Sequence, residues 1–178
     1  MESLMHVLSQ CKAVKKSRTA RHNKISQILA LEAMKKGWMV QREPSYTLPT
    51  GRELRPDLIF SKEDKAVIVD VTVKWESNEE NPLKLAYEFK KDKYTPLEPV
   101  IKAQNAAIKD VKTHGFPVGT RGLWFAGNSQ VLGDLGFSLT RVQRLSKLFA
   151  RRAVLFSTDH LRNFFNTSYI EEGPGNRP

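Results

Sequence analysis

The chain has 178 residues, 40% of them hydrophobic, with 29 Lys+Arg against 19 Asp+Glu and a net charge of +10. That suffices for one sizeable domain with a packed core, leaves no apolar run near the ~18 residues of a membrane span, and, with a single cysteine, excludes an internal disulfide framework and suits a reducing compartment. The positive excess points to a polyanionic partner, most often nucleic acid, against the plainer alternative of a basic protein without one.

Residues 1–20 open with LMHVL and Cys11 and continue into a basic run, Lys12, Lys15, Lys16, Arg18 and Arg21, read as an arm that lies along phosphates or is simply solvated. The opening segment is too polar for a secretory signal. His6 and Cys11 have the spacing of the second half of a zinc knuckle, but two ligands do not make a structural zinc site.

Residues 22–37 read as an amphipathic helix, with Ile25, Ile28 and Leu29 on one face, Asn23 as a cap and Gly37 as the stop. Residues 38–48 read as a strand broken at Pro44, and Pro49–Arg52 as a turn. Two short apolar runs follow, LIF and AVIVDVTV, joined by a charged hairpin turn over Lys62–Lys65. Residues 75–82 are an acidic polar loop, and Pro82 suits the first position of a helix that Thr95-Pro96 ends. The spacing predicts a further helical stretch over 97–115, a fourth strand over 120–127 and a Gly-rich connection over 129–137. A basic amphipathic helix over 138–152 offers Arg141, Arg144, Lys147, Arg151 and Arg152 to the outside, and a helical or strand-to-helix segment over 153–168 precedes a disordered tail.

The chemistry concentrates in the central hairpin. Asp57 stands at the start of one apolar strand and Asp70 within the next. A nearly continuous apolar strand is normally buried on both faces, where a carboxylate is costly unless compensated. Facing water at the strand ends is the plain explanation. A divalent cation is the other, since two carboxylates, a backbone carbonyl and waters make a Mg²⁺ or Mn²⁺ site. Such a site can polarise a phosphate and generate hydroxide, so phosphodiester cleavage suits so basic a chain.

Pro56-Asp57, followed by a hydrophobic strand carrying Asp70, resembles the PD-(D/E)XK nucleases of restriction enzymes and Holliday-junction resolvases. The usual lysine two residues after the second acid is replaced here by Thr72, with Lys74 two further on. The stretch more closely resembles the restriction-like endonuclease domain of site-specific non-LTR retrotransposon proteins, which has a basic-Pro-Asp motif (Arg55-Pro56-Asp57), a second acid about a dozen residues later (Asp70), and a lysine displaced onto the following helix with a tyrosine one turn on (Lys90 and Tyr94). Lys91 and Lys93 are alternatives for the lysine. His6, Cys11 and Arg21-His22-Asn23 likewise resemble the end of that family's zinc knuckle running into the nuclease helix.

The resemblance implies an α/β (α+β) restriction-endonuclease-like core, a mixed central sheet in αβββαβ order with extra C-terminal helices. It divides the chain into a basic arm with a knuckle remnant (1–20), the nuclease domain (21–168) and a tail (169–178). It implies a metal-dependent DNA endonuclease that nicks target DNA to prime reverse transcription, with Asp57, Asp70 and the Val71 carbonyl holding Mg²⁺ or Mn²⁺, Lys90 and Tyr94 assisting, and Arg21, His22, Arg55, Lys74, Arg141, Arg144 and Arg151 contacting double-stranded DNA. The implied partner is the reverse transcriptase region of the same polyprotein, and the implied location is the nucleus, with no membrane partner. A junction resolvase and an inactive nucleic-acid-binding domain of the same fold are the competing expectations. Glu32 is read as structural, and His114 and His160 as incidental, surface or packed residues.

Overall fold

The computed structural model describes residues 3–77 and 81–171. Helix α1 (Leu4–Ser9) and helix α2 (Lys15–Met34) lead into β1 (Met39–Arg42) and a small hairpin of β2 (Tyr46–Thr47) with β3 (Glu53–Leu54). Strands β4 (Leu58–Lys62) and β5 (Lys65–Lys74) form the central hairpin. Helices α3 (Pro82–Tyr94) and α4 (Leu97–Gln104) then lead to β6 (Asp110–Gly119), and α5 (Gly127–Asp134) and the 33-residue α6 (Leu139–Glu171) close the chain.

The main sheet has the order β1-β4-β5-β6, antiparallel at β1/β4 and β4/β5 and parallel at β5/β6. This is a mixed α/β architecture. One face of the sheet packs on α2, α5 and α6 through Ile25, Leu29, Val67, Val69, Phe116, Leu132 and Phe149; the other packs on the end of α3 and on α4 through Ile68, Tyr94, Leu97 and Ile101. Burying each such aliphatic or aromatic side chain contributes about 1.5–3 kcal/mol. β5 has six consecutive buried residues, Ala66 to Val71, because it has sheet neighbours on both sides and core on both faces.

Gly37 ends α2 as expected. Its φ is +83°, Trp38 N donates to Ala33 O and Gly37 N to Met34 O, which is a Schellman closure. Asn81 caps α3, its Oδ1 accepting from Lys84 N at 3.2 Å, with Pro82 at the first position.

Five expectations are corrected. α2 begins at Lys15 rather than near Asn23, so most of the basic run is helical, and the residues before it pack on α6 through Val7, Cys11 and Val14 against Leu161 and Phe164. The helical stretch 97–115 stops at Gln104, and its second half is the start of β6, because pairing along all of β5 outweighs a weak helical stripe. The fourth strand is therefore 110–119, while 120–127 is a connection bridged only at Val118–Trp124. The Gly-rich connection contains α5, and the two C-terminal segments are one helix, α6.

Pro117 is tolerated in β6 because this is the edge strand, and its carbonyl accepts from Asn128 Nδ2 at 2.7 Å. Of the acidic loop 75–82, residues 78–80 lie outside the described residues. Of the expected tail, Tyr169–Glu171 continue α6 and 172–178 lie outside. Among the described residues no helix is long and apolar enough to cross a membrane.

Candidate active site

The β4/β5 register pairs Leu58 with Val69, so Asp57 and Asp70 stand opposite each other one step beyond. Asp57 Oδ2 accepts from Val71 N at 2.7 Å, which pins it to β5. The imidazole of His22, carried by α2, places Nε2 3.0 Å from Asp57 Oδ2 and 3.1 Å from Val71 O. Both neighbours are acceptors, so Nε2 carries a proton; Nδ1 faces Asn23 Oδ1 at 3.2 Å and carries one too. The hydrogen bond to Asp57 raises the His22 pKa to about 9 against the cost of burial. A positive N–H thus sits where a carboxylate and a carbonyl converge.

Asp70 is 3% exposed. Burial, and then the charge of Asp57, push its pKa up; Lys90 and Tyr94 oppose them. Lys90 Nζ, from α3, lies 2.5 Å from Asp70 Oδ1. Thr72, where a restriction-type lysine would be, does not supply this cation; the next helix does. Of its neighbours, Lys91 is exposed and Lys93 Nζ lies over the Tyr94 ring, 4.7 Å from its centroid. Tyr94 is buried in the second core cluster, its hydroxyl donates to Arg55 O at 2.9 Å, and burial followed by the proximity of Asp70 raises its pKa. It is a core aromatic whose polar end reaches the site.

The donors that converge here, two carboxylates and the Val71 carbonyl, are hard oxygens of the kind Mg²⁺ or Mn²⁺ takes. Two cations already gather at this locus, His22 between Asp57 and the Val71 carbonyl and Lys90 against Asp70. Among the described residues no three His, Cys, Asp or Glu side chains cluster as a metal site, so the carbonyl is integral to any such set.

Beside the acids runs a groove of about 480 Å³ lined by Lys15, Arg18, Thr19, His22, Thr72 and Lys90, among others. Lys15, Arg18 and His22 share one face of α2. Lys15 and Arg18 appear in the basic run but not among the named contacts; a helix reading extended back to Lys15 would have singled them out.

Arg21 is corrected. It is 2% exposed, its guanidinium donates to Leu8 O and Ser157 Oγ, each at 2.9 Å, and burial lowers its pKa to about 10. It ties α1, α2 and α6 together. The Arg55 side chain is held by Glu43, through the carbonyl at 3.0 Å and the carboxylate. Arg141 pairs with the buried Glu32, which Lys35 also meets at 2.7 Å, so Glu32 is structural and remote from Asp57 and Asp70 in the contacts it makes. Lys74, Arg144 and Arg151 are exposed. His160 is fully buried, and Cys11 packs in an apolar cluster.

Two positioning residues carry no motif signal. Gly115 pairs with Asp70 in the β5/β6 register, and a Cβ there would stand 2.7 Å from the Tyr87 backbone; only glycine lets α3 lie this close, one turn from Lys90. Glu76, buried beyond β5, accepts from Thr120 Oγ1 and the backbone N–H groups of Arg121 and Leu123 at 2.9–3.2 Å, fixing the turn after β6.

The chain is 35% identical over 144 residues, 80% of its length, to a Retrovirus-related Pol polyprotein from type-1 retrotransposable element R2 of Popillia japonica, covering 29% of that protein. A second such polyprotein from Popillia japonica is 31% identical over 78% of the chain and 23% of its own length. One from Nasonia vitripennis is 25% identical over 96% of the chain and 16% of its own length. The chain thus spans less than a third of the curated relatives it matches, and it is homologous over most of its length to a region of R2 non-LTR retrotransposon Pol polyproteins. No protein-family model matches it.

Proposed function

We propose that this region of an R2-type polyprotein is a metal-dependent DNA endonuclease domain with a PD-(D/E)XK core, nicking target DNA so that the freed 3′ end primes the reverse transcriptase region of the same polyprotein. The observation that carries the reading is the meeting of Asp57, Asp70 and Lys90, from two strands and a helix, at one edge of a basic groove.

Asp57, Asp70 and the Val71 carbonyl would hold Mg²⁺ or Mn²⁺. When bound, the metal supplies Lewis-acid stabilisation of the phosphate and a lowered pKa for water. Lys90, anchored on Asp70, is placed to hold the attacking water or neutralise charge developing on the phosphate. Tyr94, its hydroxyl held close to Asp70 by the bond to Arg55 O, is the group that would orient water or the phosphate. His22, as a cation, balances Asp57 in the metal-free protein, and Lys15 and Arg18 grip backbone phosphates along the groove. Acting on chromosomal DNA, the domain would work in the nucleus.

Supercoiled plasmid with Mg²⁺ or Mn²⁺ tests the reading. The wild type is expected to produce nicked circles and Asp70→Ala none. An intact plasmid at high wild-type concentration, or equal cutting by Asp70→Ala, overturns it. Strong preference for a four-way junction over linear duplex would move the assignment to a resolvase.

A further inference from the structure

Next to Lys90 lies a second hollow, of about 500 Å³, between the end of β5 and α3. Its walls include Lys74, Pro82, Leu85, Ala86 and Phe89, with Thr72 and Lys90 shared between this hollow and the groove beside the acids. Leu85 and Phe89 are four apart, so they stack on one face of α3, yet they are 54% and 66% exposed. A Phe this exposed beside a catalytic lysine is not explained by the core, since Leu83, Tyr87 and Tyr94 already bury the other face of α3.

The setting selects the occupant. An apolar platform rimmed by Lys74 and Lys90, with Lys84 exposed on the same helix, complements a group that is flat and apolar in its plane and attached to negative charge. Glu88, also exposed on α3, is the one acid beside Phe89 in sequence. A nucleobase on its phosphate backbone has that chemistry, and aromatic faces accept unpaired bases with little regard to sequence. An apolar protein segment without acidic residues would meet a rim of lysines and gain nothing from them.

We propose that the Leu85–Phe89 hollow receives an unpaired DNA base next to the phosphate that Lys90 faces, stacked on Phe89. The pocket makes the domain select DNA that is locally unpaired, or that yields a base from the duplex, at the point of cleavage. This rests on the nuclease reading for the meaning of "next to", but the pocket is tested by binding alone.

The test measures binding in EDTA, so that no strand is cut, with a short duplex carrying one unpaired 2-aminopurine and the same duplex fully paired. The wild type is expected to bind the first more tightly and to quench its fluorescence. Phe89→Ala should weaken binding to the unpaired form by about 5- to 100-fold, the loss of one base stack, leaving the paired form and the salt dependence unchanged. Phe89→Trp should restore both affinity and quenching; being exposed, position 89 tolerates either change. Lys74→Ala should weaken both forms alike and lower the salt slope by about one. If Phe89→Ala alters neither form, or both equally, the pocket does not take a base. Loss of selective binding in Phe89→Ala together with an uncut plasmid in the wild type would leave the pocket standing and sink the nuclease reading. Cutting that depends on Asp70, with binding indifferent to Phe89, would do the reverse.

Discussion

Two histidine–aspartate pairs in this chain have the same Nε2–Oδ2 distance, 3.0 Å, and opposite electrostatics. His22 with Asp57 is raised to about 9; His114 with Asp134 is lowered. The second pair is closed. His114 is buried in β6, its Nε2–H donates to Asp134, its Nδ1 accepts from the Tyr87 hydroxyl at 2.9 Å, and Lys112 neutralises Asp134 at 2.6 Å. One proton satisfies that ring, and burial penalises a second. The first pair is open to the groove. Its ring meets only acceptors, Asp57, Val71 O and Asn23 Oδ1, so a charge is favoured. A polar network that is complete holds a structure together, and one that still wants a cation is where a ligand can bind.

The comparison breaks most sharply at Asp70 and Lys90. Lys90→Ala should reduce nicking by about 10²–10³-fold, whereas Lys91→Ala, an exposed neighbour, should leave it within about twofold; equal losses would remove Lys90 from its role. Gly115→Ala joins the two networks, since a Cβ there meets the Tyr87 backbone at 2.7 Å. It should cost about 1–3 kcal/mol in denaturant unfolding and also impair nicking by moving α3 and Lys90. Asp134→Asn, in the closed network, should cost about 1–3 kcal/mol of stability by leaving Lys112 and His114 poorly paired, with nicking preserved in whatever protein remains folded.

The most gradual effect is in pH dependence of the metal-free protein. The His22 pKa is raised, so the stability it contributes is complete below its ordinary 6.5 and is lost as pH rises from there through about 9. The His114 pKa is lowered, so its contribution is complete above 6.5 and is lost as pH falls through its folded value. Unfolding free energy measured across that range should lose its alkaline-side decline in His22→Asn and part of its acid-side decline in His114→Gln. Unchanged profiles would show that neither ring titrates as its surroundings require.

Much of the site is legible in the order of residues, and much of the scaffold is not. Asp57 and Asp70 stand out because acids in apolar strands break a pattern, and a hairpin turn over Lys62–Lys65 brings them level. β6 is hidden because VKTHGFPV has neither strict alternation nor a clear helical stripe; its strand state comes from pairing with β5. Arg21 reads as one more base in a basic run, and only the closing of α6 over α1 and α2 buries it. Lys15 and Arg18 are visible as charges, but their facing the groove depends on α2 beginning at Lys15.

By itself the chain order determined the positive charge, the helix that Gly37 stops, the hairpin and its paired acids, because these rest on local sterics and periodicities of a few residues. The tertiary structure alone decided which lysine meets Asp70, which histidine holds a proton beside Asp57, and that Gly115 must be a glycine. Each of these depends on the separation between a helix and a strand far apart in sequence, and that separation is set by packing.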